Sequence, residues 1–517
     1  MLFYKEKTMK KAAITILTIL MSIGLFGCEN IDFDVLFETR STEILDVIPD
    51  EINSNFALPV FDDVSVDYQY NDVWFNENEF IYESPFYDQD VELKYTIRRG
   101  NKAGEFTKTI HLIADDSGEN EYRLYIELPY SVNNVTDVDY TQASITATMA
   151  KNGSTEIELD TDAAQIRGRG NSTWLSYPKK PFKIKFDVKT SLFGMPSSRD
   201  YVLLAEYADK SLMRNTIVHK MSSLMNYLPY SIETRFVELY VNTVYFGVYV
   251  LTEQIEFQSN KLSVESIAGT ANTGYLFELD KRLYDIYDSP NDTWFEVGSQ
   301  PYAIVEPQSD DPLFSDIHKT YLTLYMNQVE DALMAKIGYE TLIDVDAWID
   351  YFIIHELTKN VDVGFSSVYL YKEANGPLKP GPLWDFDFAI GNADYIDYGP
   401  EGFYGMMPYK NRLFTLLLDI PEVRQKFTER YSDFYYDALP LILEMIPILA
   451  SSIEDQAERN FDKWQILDIS FWPNPMEVIN ANSFAAQVTY VENYLSLRGD
   501  WIFVTVYEDN FRDGIFD

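Results

Sequence analysis

Residues 383–392 read LWDFDFAIGN, with Asp385 and Asp387 on either side of Phe386 in an otherwise apolar run. Carboxylates inside an apolar run are costly to bury unless something pairs with them. A third acid, Asp362, lies upstream in the loop VDVG. The stretch before it, AWIDYFIIHELTKN, reads as a buried helix with Trp348, Phe352 and Leu357 inward, ending near Asn360. After the loop, SVYLYK reads as a strand and Asn375-Gly376 as a tight turn, with a return segment running to Leu383-Trp384. A hairpin brings the chain back to where it began. Asp362 and Asp385, 23 residues apart, are therefore expected in one neighbourhood. Hard carboxylate oxygens suit Mg²⁺ or Mn²⁺. The plainer alternative has Asp362 capping a turn and the later pair facing solvent.

A second cluster lies far earlier. Between Ala163 and Phe186 there is no Asp or Glu, although 24 residues of this composition should carry about four. The window holds six bases: Arg167, Arg169, Lys179, Lys180, Lys183 and Lys185. Gly168 and Gly170 allow a ligand close to the backbone. From Phe182 to Phe186 the apolar residues fall on one strand face, with Lys183 and Lys185 on the other. A phosphate-bearing ligand is the natural partner of such a row. The competing reading is a solvated strand face whose lysines meet surface acids. The glycine spacing fits neither a phosphate-binding P-loop nor a dinucleotide loop.

Other chemistries find less support. The four histidines, His111, His219, His318 and His355, are scattered. His355 lies in HELTK, which lacks the second His of a zinc-protease helix, and should pack on its own helix. One cysteine excludes a cysteine-rich zinc site and any internal disulfide, and no Gly-x-Ser-x-Gly elbow occurs.

The elements that must position these groups begin after an unusual N-terminus. From Met9, Lys10 and Lys11 precede the apolar run Ala12–Leu25, which ends in Leu25-Phe26-Gly27-Cys28. This resembles a bacterial lipoprotein signal, with Cys28 as the lipidated residue. Residues 1–28 are then a signal peptide and 29–46 an acidic tether. Everything beyond is extracytoplasmic, and membrane attachment is through the lipid alone. No later stretch reads as long and apolar enough to span a bilayer. Residues 47–116 read as a small β module: Val91, Leu93, Tyr95 and Ile97 alternate with polar residues, Asn101 to Glu105 is a turn, and TKTIHLIA is the next strand. With EINSNFALP and Trp74, the stretch resembles the degenerate immunoglobulin-like repeats of bacterial surface proteins. DSGENEYR, residues 116–123, marks a boundary. Strand-like segments dominate about 120–306, with one helix expected in SLMRNTIVHKMSSLM. Helices dominate about 310–505. The fold class expected is α+β. With 82 acids against 41 bases and a formal charge of −41, the chain repels polyanions and is not a nucleic-acid binder.

IRGRGNSTW, PKKPFKIKF, LLAEYADKSLMRN, RFVELYVNTVYFGVYVLTEQI, GYLFELD and GPLWDFDFAIGN occur in the order seen in the CotH family of spore-coat-type atypical protein kinases. The resemblance covers roughly residues 120–505. It implies a divergent two-lobe protein-kinase-like fold, with a β-rich lobe at about 120–306 and a helical lobe at about 310–505. It also implies ATP with Mg²⁺ or Mn²⁺, a protein substrate, and transfer of phosphate to Ser. By position, Asp362 corresponds to the catalytic acid, Asp385 to the metal ligand with Asp387 assisting, and Trp384 to an adenine-stacking aromatic. Lys183 is the preferred phosphate contact, with Arg169 in the same cationic set and Lys180 and Lys185 as rivals. One departure is Ser367, which stands where ordinary kinases carry a metal-binding Asn. It keeps open a second reading, a weakly active or inactive kinase-like adhesin or scaffold. A third is a phosphate- or glycan-binding module that uses the basic island alone.

Overall fold

The structure, a computed structural model, describes residues 32–52, 56–70, 73–75, 79–80, 89–112, 121–151, 154–287, 291–407 and 409–507. Cys28 and the signal segment lie outside the described residues, as do 116–120 of the expected boundary. The chain divides into two compact units, residues 1–114 and 115–517.

In the first unit, helix α1 (Phe33–Val47) starts at Asp32, whose carboxylate accepts from the backbone N–H of Asp34 and Val35. The expected tether is thus corrected over residues 33–46. Phe37 and Ile44, about two turns apart, fall on one face and are buried in the same core as Leu93, Tyr95 and Ile97. Strands β1 (Glu51–Ile52), β2 (Phe56–Ala57), β3 (Ser65–Tyr70), β4 (Val73–Phe75), β5 (Glu79–Phe80), β6 (Gln89–Arg99) and β7 (Lys102–Leu112) follow. They form one sheet in the order β1-β7-β6-β3-β4, with β2 and β5 as a separate pair. The alternation over 91–97 does make a strand. The turn expected at Asn101 to Glu105 is tighter: Arg99 pairs with Lys102, and Gly100 at φ 62° makes the reversal.

In the second unit, seven strands close into a barrel. They are β8 (Tyr122–Glu127), β9 (Thr141–Lys151), β10 (Ser154–Gly168), β11 (Phe182–Thr190), β12 (Ser198–Leu204), β13 (Thr234–Val241) and β14 (Val244–Glu253), in the order β10-β11-β12-β14-β13-β8-β9. Phe182, Ile184 and Phe186 point into the barrel core with Ile166, Leu203 and Leu251. The period of two then forces Lys183 and Lys185 outward. A second sheet, in the order β16-β17-β15-β18-β19, comprises β15 (Tyr275–Leu279), β16 (Trp294–Val297), β17 (Gln300–Glu306), β18 (Val368–Lys372) and β19 (Leu378–Pro380). This alters the expected division near residue 306. Strands from 275–306 pair with the hairpin 368–380, because β15 lies between β17 and β18.

Helix α2 (Ser172–Ser176) leaves the barrel, and α3 (Arg214–Ser223) lies within the stretch read as helical. Helix α4 (Val345–Thr358) is buried all round from Ala347 to Thr358, not on one face alone. It packs in a large core with the β15–β18 strands and the C-terminal helix α5 (Phe484–Tyr507). The expectation that no later stretch is long and apolar enough to span a bilayer is corrected by the helical run Pro421–Ser452, which is so by length and composition. Here its Phe427, Tyr431, Phe434, Leu439, Ile442 and Ile446 are buried in that core.

Candidate active site

A cleft of about 640 Å³ in the second unit is lined by Arg169, Glu278, Asp362, Ser367, Trp384, Asp385 and Asp387, among others. Helix α4 ends at Lys359, which takes the left-handed conformation at φ 45° and turns the chain sharply. Asn360 Oδ1 then accepts from the Asp362 N–H at 2.8 Å. The Asp362 carbonyl accepts from Phe365 and Ser366 N–H at 2.8 and 3.1 Å. This compact loop feeds β18, and the hairpin to β19 reverses the chain at Asn375, φ 58°. Asp385 arrives beside the start of that path. Ser367 Oγ donates to Asp385 Oδ2 at 3.2 Å, and Asn360 Nδ2 donates to the Asp385 carbonyl at 3.4 Å. The hairpin inference therefore places Asp362 and Asp385 in one cleft.

The Asp-Phe-Asp segment is held from α3. Phe386 N–H donates to Asn215 Oδ1 at 2.8 Å, and Asn215 Nδ2 donates to Glu206 Oε1 at 3.0 Å. Arg214 donates to the carbonyls of Ala389 and Ile390. Asp385 itself sits at φ 68°, a conformation that non-glycine residues rarely adopt and that surrounding contacts must sustain. Ser367 at φ 61° is a second such residue, and its N–H donates to Glu278 Oε1 at 3.1 Å.

Electrostatics mark the cleft as short of positive charge. Burial, then the Asp385 charge, pushes Asp362 up to about 8, with Arg282 opposing. Burial, then Asp385, holds Asp387 well above the usual carboxylate range. Burial and Asp209 push Glu206 up to about 8, and burial and Asp280 push Glu278 up to about 7. Several carboxylates crowded together cannot all ionise without a cation. Among the described residues no three acidic or imidazole groups converge closely enough to hold an ion as they stand. That is compatible with Mg²⁺, which keeps several waters and takes one or two protein carboxylates plus substrate phosphates. Asp385 and Asp387, lining both the cleft and a small adjoining pocket, offer that pair.

The basic island divides. Arg169 lines the cleft, with its guanidinium 5.5 Å from the centre of the Trp384 ring. Lys183 does not reach the cleft. It pairs with Asp200 at 2.9 Å on the barrel exterior, where strand alternation puts it. Lys185 lies over Tyr140, and Lys180 donates to the Trp174 carbonyl. The lysine that reaches the acids is Lys179. It is buried, lines the small pocket with Glu206, Asp385 and Asp387, and donates to Asn460 Oδ1 at 2.9 Å. Burial lowers its ammonium to about 7, with Glu206 opposing. Trp384 lines the cleft but is only 5 % exposed, packed with Val202, Leu276 and Tyr371. His355 is buried on its helix as expected, and burial lowers it to about 3.

Sequence reading gave no role to Glu206, Asn215, Glu278 or Asn360. The first two lie in LLAEYADKSLMRN, quoted above for its resemblance. Glu278 lies in GYLFELD, where an acid between apolar residues was the available signal. Asn360 was legible only as a helix end.

No curated protein matches the chain. The family model described as CotH kinase protein matches residues 166–502. That span is well over half of the chain and contains the Arg169, Asp362 and Asp385 positions that meet in the cleft, so the protein belongs to the CotH kinase family.

Proposed function

We propose that the protein is an ATP-dependent protein kinase of the CotH type, which transfers phosphate to Ser hydroxyls of protein. The observation that carries this is the joint placement of Asp362 and Asp385 in one cleft beside Arg169. When bound, ATP with Mg²⁺ or Mn²⁺ supplies the transferable phosphoryl group and the positive charge that the carboxylates lack. Asp362 accepts the acceptor hydroxyl's proton and orients that oxygen. Asp385, fixed by Ser367 Oγ, and Asp387 would hold the cation. Arg169 offers guanidinium N–H groups to phosphate oxygens. In this reading the chain is a lipoprotein tethered through Cys28 at the bacterial cell surface. Residues 47–116 are an immunoglobulin-like spacer, and nucleic acid is not a partner.

The direct test is incorporation of label from γ-labelled ATP with Mg²⁺ or Mn²⁺. No incorporation, or an Asp362→Asn variant identical to the parent, rejects the proposal. A second reading, a kinase-like scaffold without turnover, is favoured by Ser367, whose hydroxyl is engaged with Asp385. Calorimetry separates the two, since tight Mg²⁺-dependent ATP binding argues against a pure scaffold.

A further inference from the structure

Part of the cleft wall is formed by the chain that follows Asp387, through Tyr395, Ile396, Tyr404 and Lys410. This segment is gripped by its backbone. Lys359 Nζ donates to the carbonyls of Asp397 and Glu401. Arg498 donates to the carbonyls of Pro400 and Gly402 at 2.9 and 2.7 Å. The Glu356 carboxylate accepts from the N–H groups of Tyr404 and Met406 at 2.7 and 2.9 Å. Backbone anchoring leaves the side chains of the wall available to the cleft.

Lys410 is sewn to the Asp362 loop. Its ammonium donates to Tyr404 Oη at 2.8 Å, and that hydroxyl donates to the carbonyl of Val361 at 3.2 Å. The Lys410 carbonyl lies so close to Gly364 that a Cβ there would come within 2.3 Å of it. Asn411 Nδ2 donates to the Val363 carbonyl at 3.0 Å. Lys281 joins the same loop through its N–H on the Phe365 carbonyl at 2.7 Å. Nearby Arg282 and Arg412 are already paired, with Asp280 and Glu330 respectively. Among the described residues Lys281 and Lys410 form no ion pair, although the protein carries 82 acids against 41 bases. Burial, and then the Lys281 charge, lowers the Lys410 ammonium below its ordinary value. The like charge of Lys281 disfavours the charged form of Lys410, and an anion held at Lys410 on the cleft wall relieves that cost.

We propose that Lys410, with Lys281 beside it, is an acceptor-side anion subsite that selects hydroxyl acceptors flanked by Asp or Glu. The role of Asp362 in this subsite rests on the kinase reading above. An acceptor whose hydroxyl meets Asp362 places its neighbouring side chains over the Asp362 loop, against which the Lys410 and Lys281 segments pack. Long-range repulsion from the −41 chain works against acidic peptides. Lys410 lies over the Tyr404 ring at 4.0 Å and has no carboxylate partner among the described residues, and such a cation on the cleft wall is what an acidic peptide needs in order to bind here.

The test uses the full chain and fluorescein-labelled peptides in which Ala replaces the acceptor Ser, so that nothing can react. One peptide carries Asp on both sides of that position and the other carries Lys. At about 0.15 M salt, where the Debye length is about 8 Å, anisotropy titration should show the Asp peptide binding about tenfold tighter. Lys410→Glu should reverse the order, Lys410→Gln should abolish the preference, and Lys410→Arg should keep it. Equal binding of the two peptides overturns the subsite, as does an Asp preference that survives Lys410→Glu. A Lys410→Glu variant that weakens ATP binding and leaves the peptide order intact overturns it too, by assigning the lysine to the nucleotide. If the peptides separate as expected but no label passes from ATP to Ser peptides, the kinase reading fails and the subsite stands.

Discussion

Asp362 and Asp385 are both acids, yet their surroundings give them different work. Asp362 lies in a buried loop whose geometry is fixed by Asn360, and burial and the neighbouring Asp385 raise its pKa to about 8. Asp385 is pinned through Ser367 and the left-handed backbone. Asp362→Asn should therefore lower phosphate incorporation by about 10²- to 10⁴-fold while ATP affinity, read by calorimetry, stays within about twofold. Asp385→Asn should instead abolish the Mg²⁺ dependence of ATP binding. A further consequence concerns pH. A carboxyl whose folded-state pKa is raised favours the fold below its unfolded value, near 4, and that contribution is lost as pH rises through the folded value. Asp362 and Glu206 at about 8, with Glu278 at about 7, set that window. The metal-free protein should lose thermal stability steadily from about pH 4 to about pH 8. Mg²⁺ should raise the melting temperature more at pH 8 than at pH 5. Equal Mg²⁺ shifts at the two values would show that these carboxylates do not titrate together as described. Ser367 was legible as a departure from the usual Asn. Its bond to Asp385 was not, because a hydroxyl's partner depends on a neighbour 18 residues away.

At the scale of elements, the hairpin β18–β19 was readable because Asn375-Gly376 and the flanking strand residues act locally. Helix α4 was readable for the same reason, although its burial on every side reflects packing against the sheet and α5. The grip on residues 397–406 was not readable. It joins Glu356 of α4 to Arg498 of α5, which pair at 2.6 Å with both side chains buried. Removing one partner leaves a buried charge unmatched. Arg498→Ala should thus cost about 3–5 kcal/mol of unfolding free energy in chemical denaturation. It should also lower peptide phosphorylation, because the cleft wall at Tyr404 loses its anchor. A loss below about 1 kcal/mol would place the pair among weakly contributing surface interactions. The basic island shows the limit of strand periodicity. It put Lys183 and Lys185 on the face away from Phe182 and Phe186, as found. It gave no means of knowing that this face lies outside a closed barrel and away from the cleft.

Taken whole, the molecule is two units with separate cores. The helix α1 and its sheet share one hydrophobic cluster, and the clusters of the barrel and the helical region contain none of its residues. Residues 115–517 expressed alone should keep the same calorimetric unfolding transition as in the full chain. A shift of more than a few degrees would show that the first unit supports the second. The sequence by itself determined the α+β composition, the hairpin between the two acids, the acid-free window and the motif order of a CotH kinase. These are set by period, turn chemistry and residue type, which act over a few neighbours. Tertiary structure alone decided that α1 belongs to a core and that β15 lies between strands from both expected lobes. It also decided that Arg169 and Lys179, not Lys183, approach the acids, and that Lys410 stands over the Asp362 loop. Each of those follows from packing between segments tens to hundreds of residues apart, where local pattern carries no information about which face meets which.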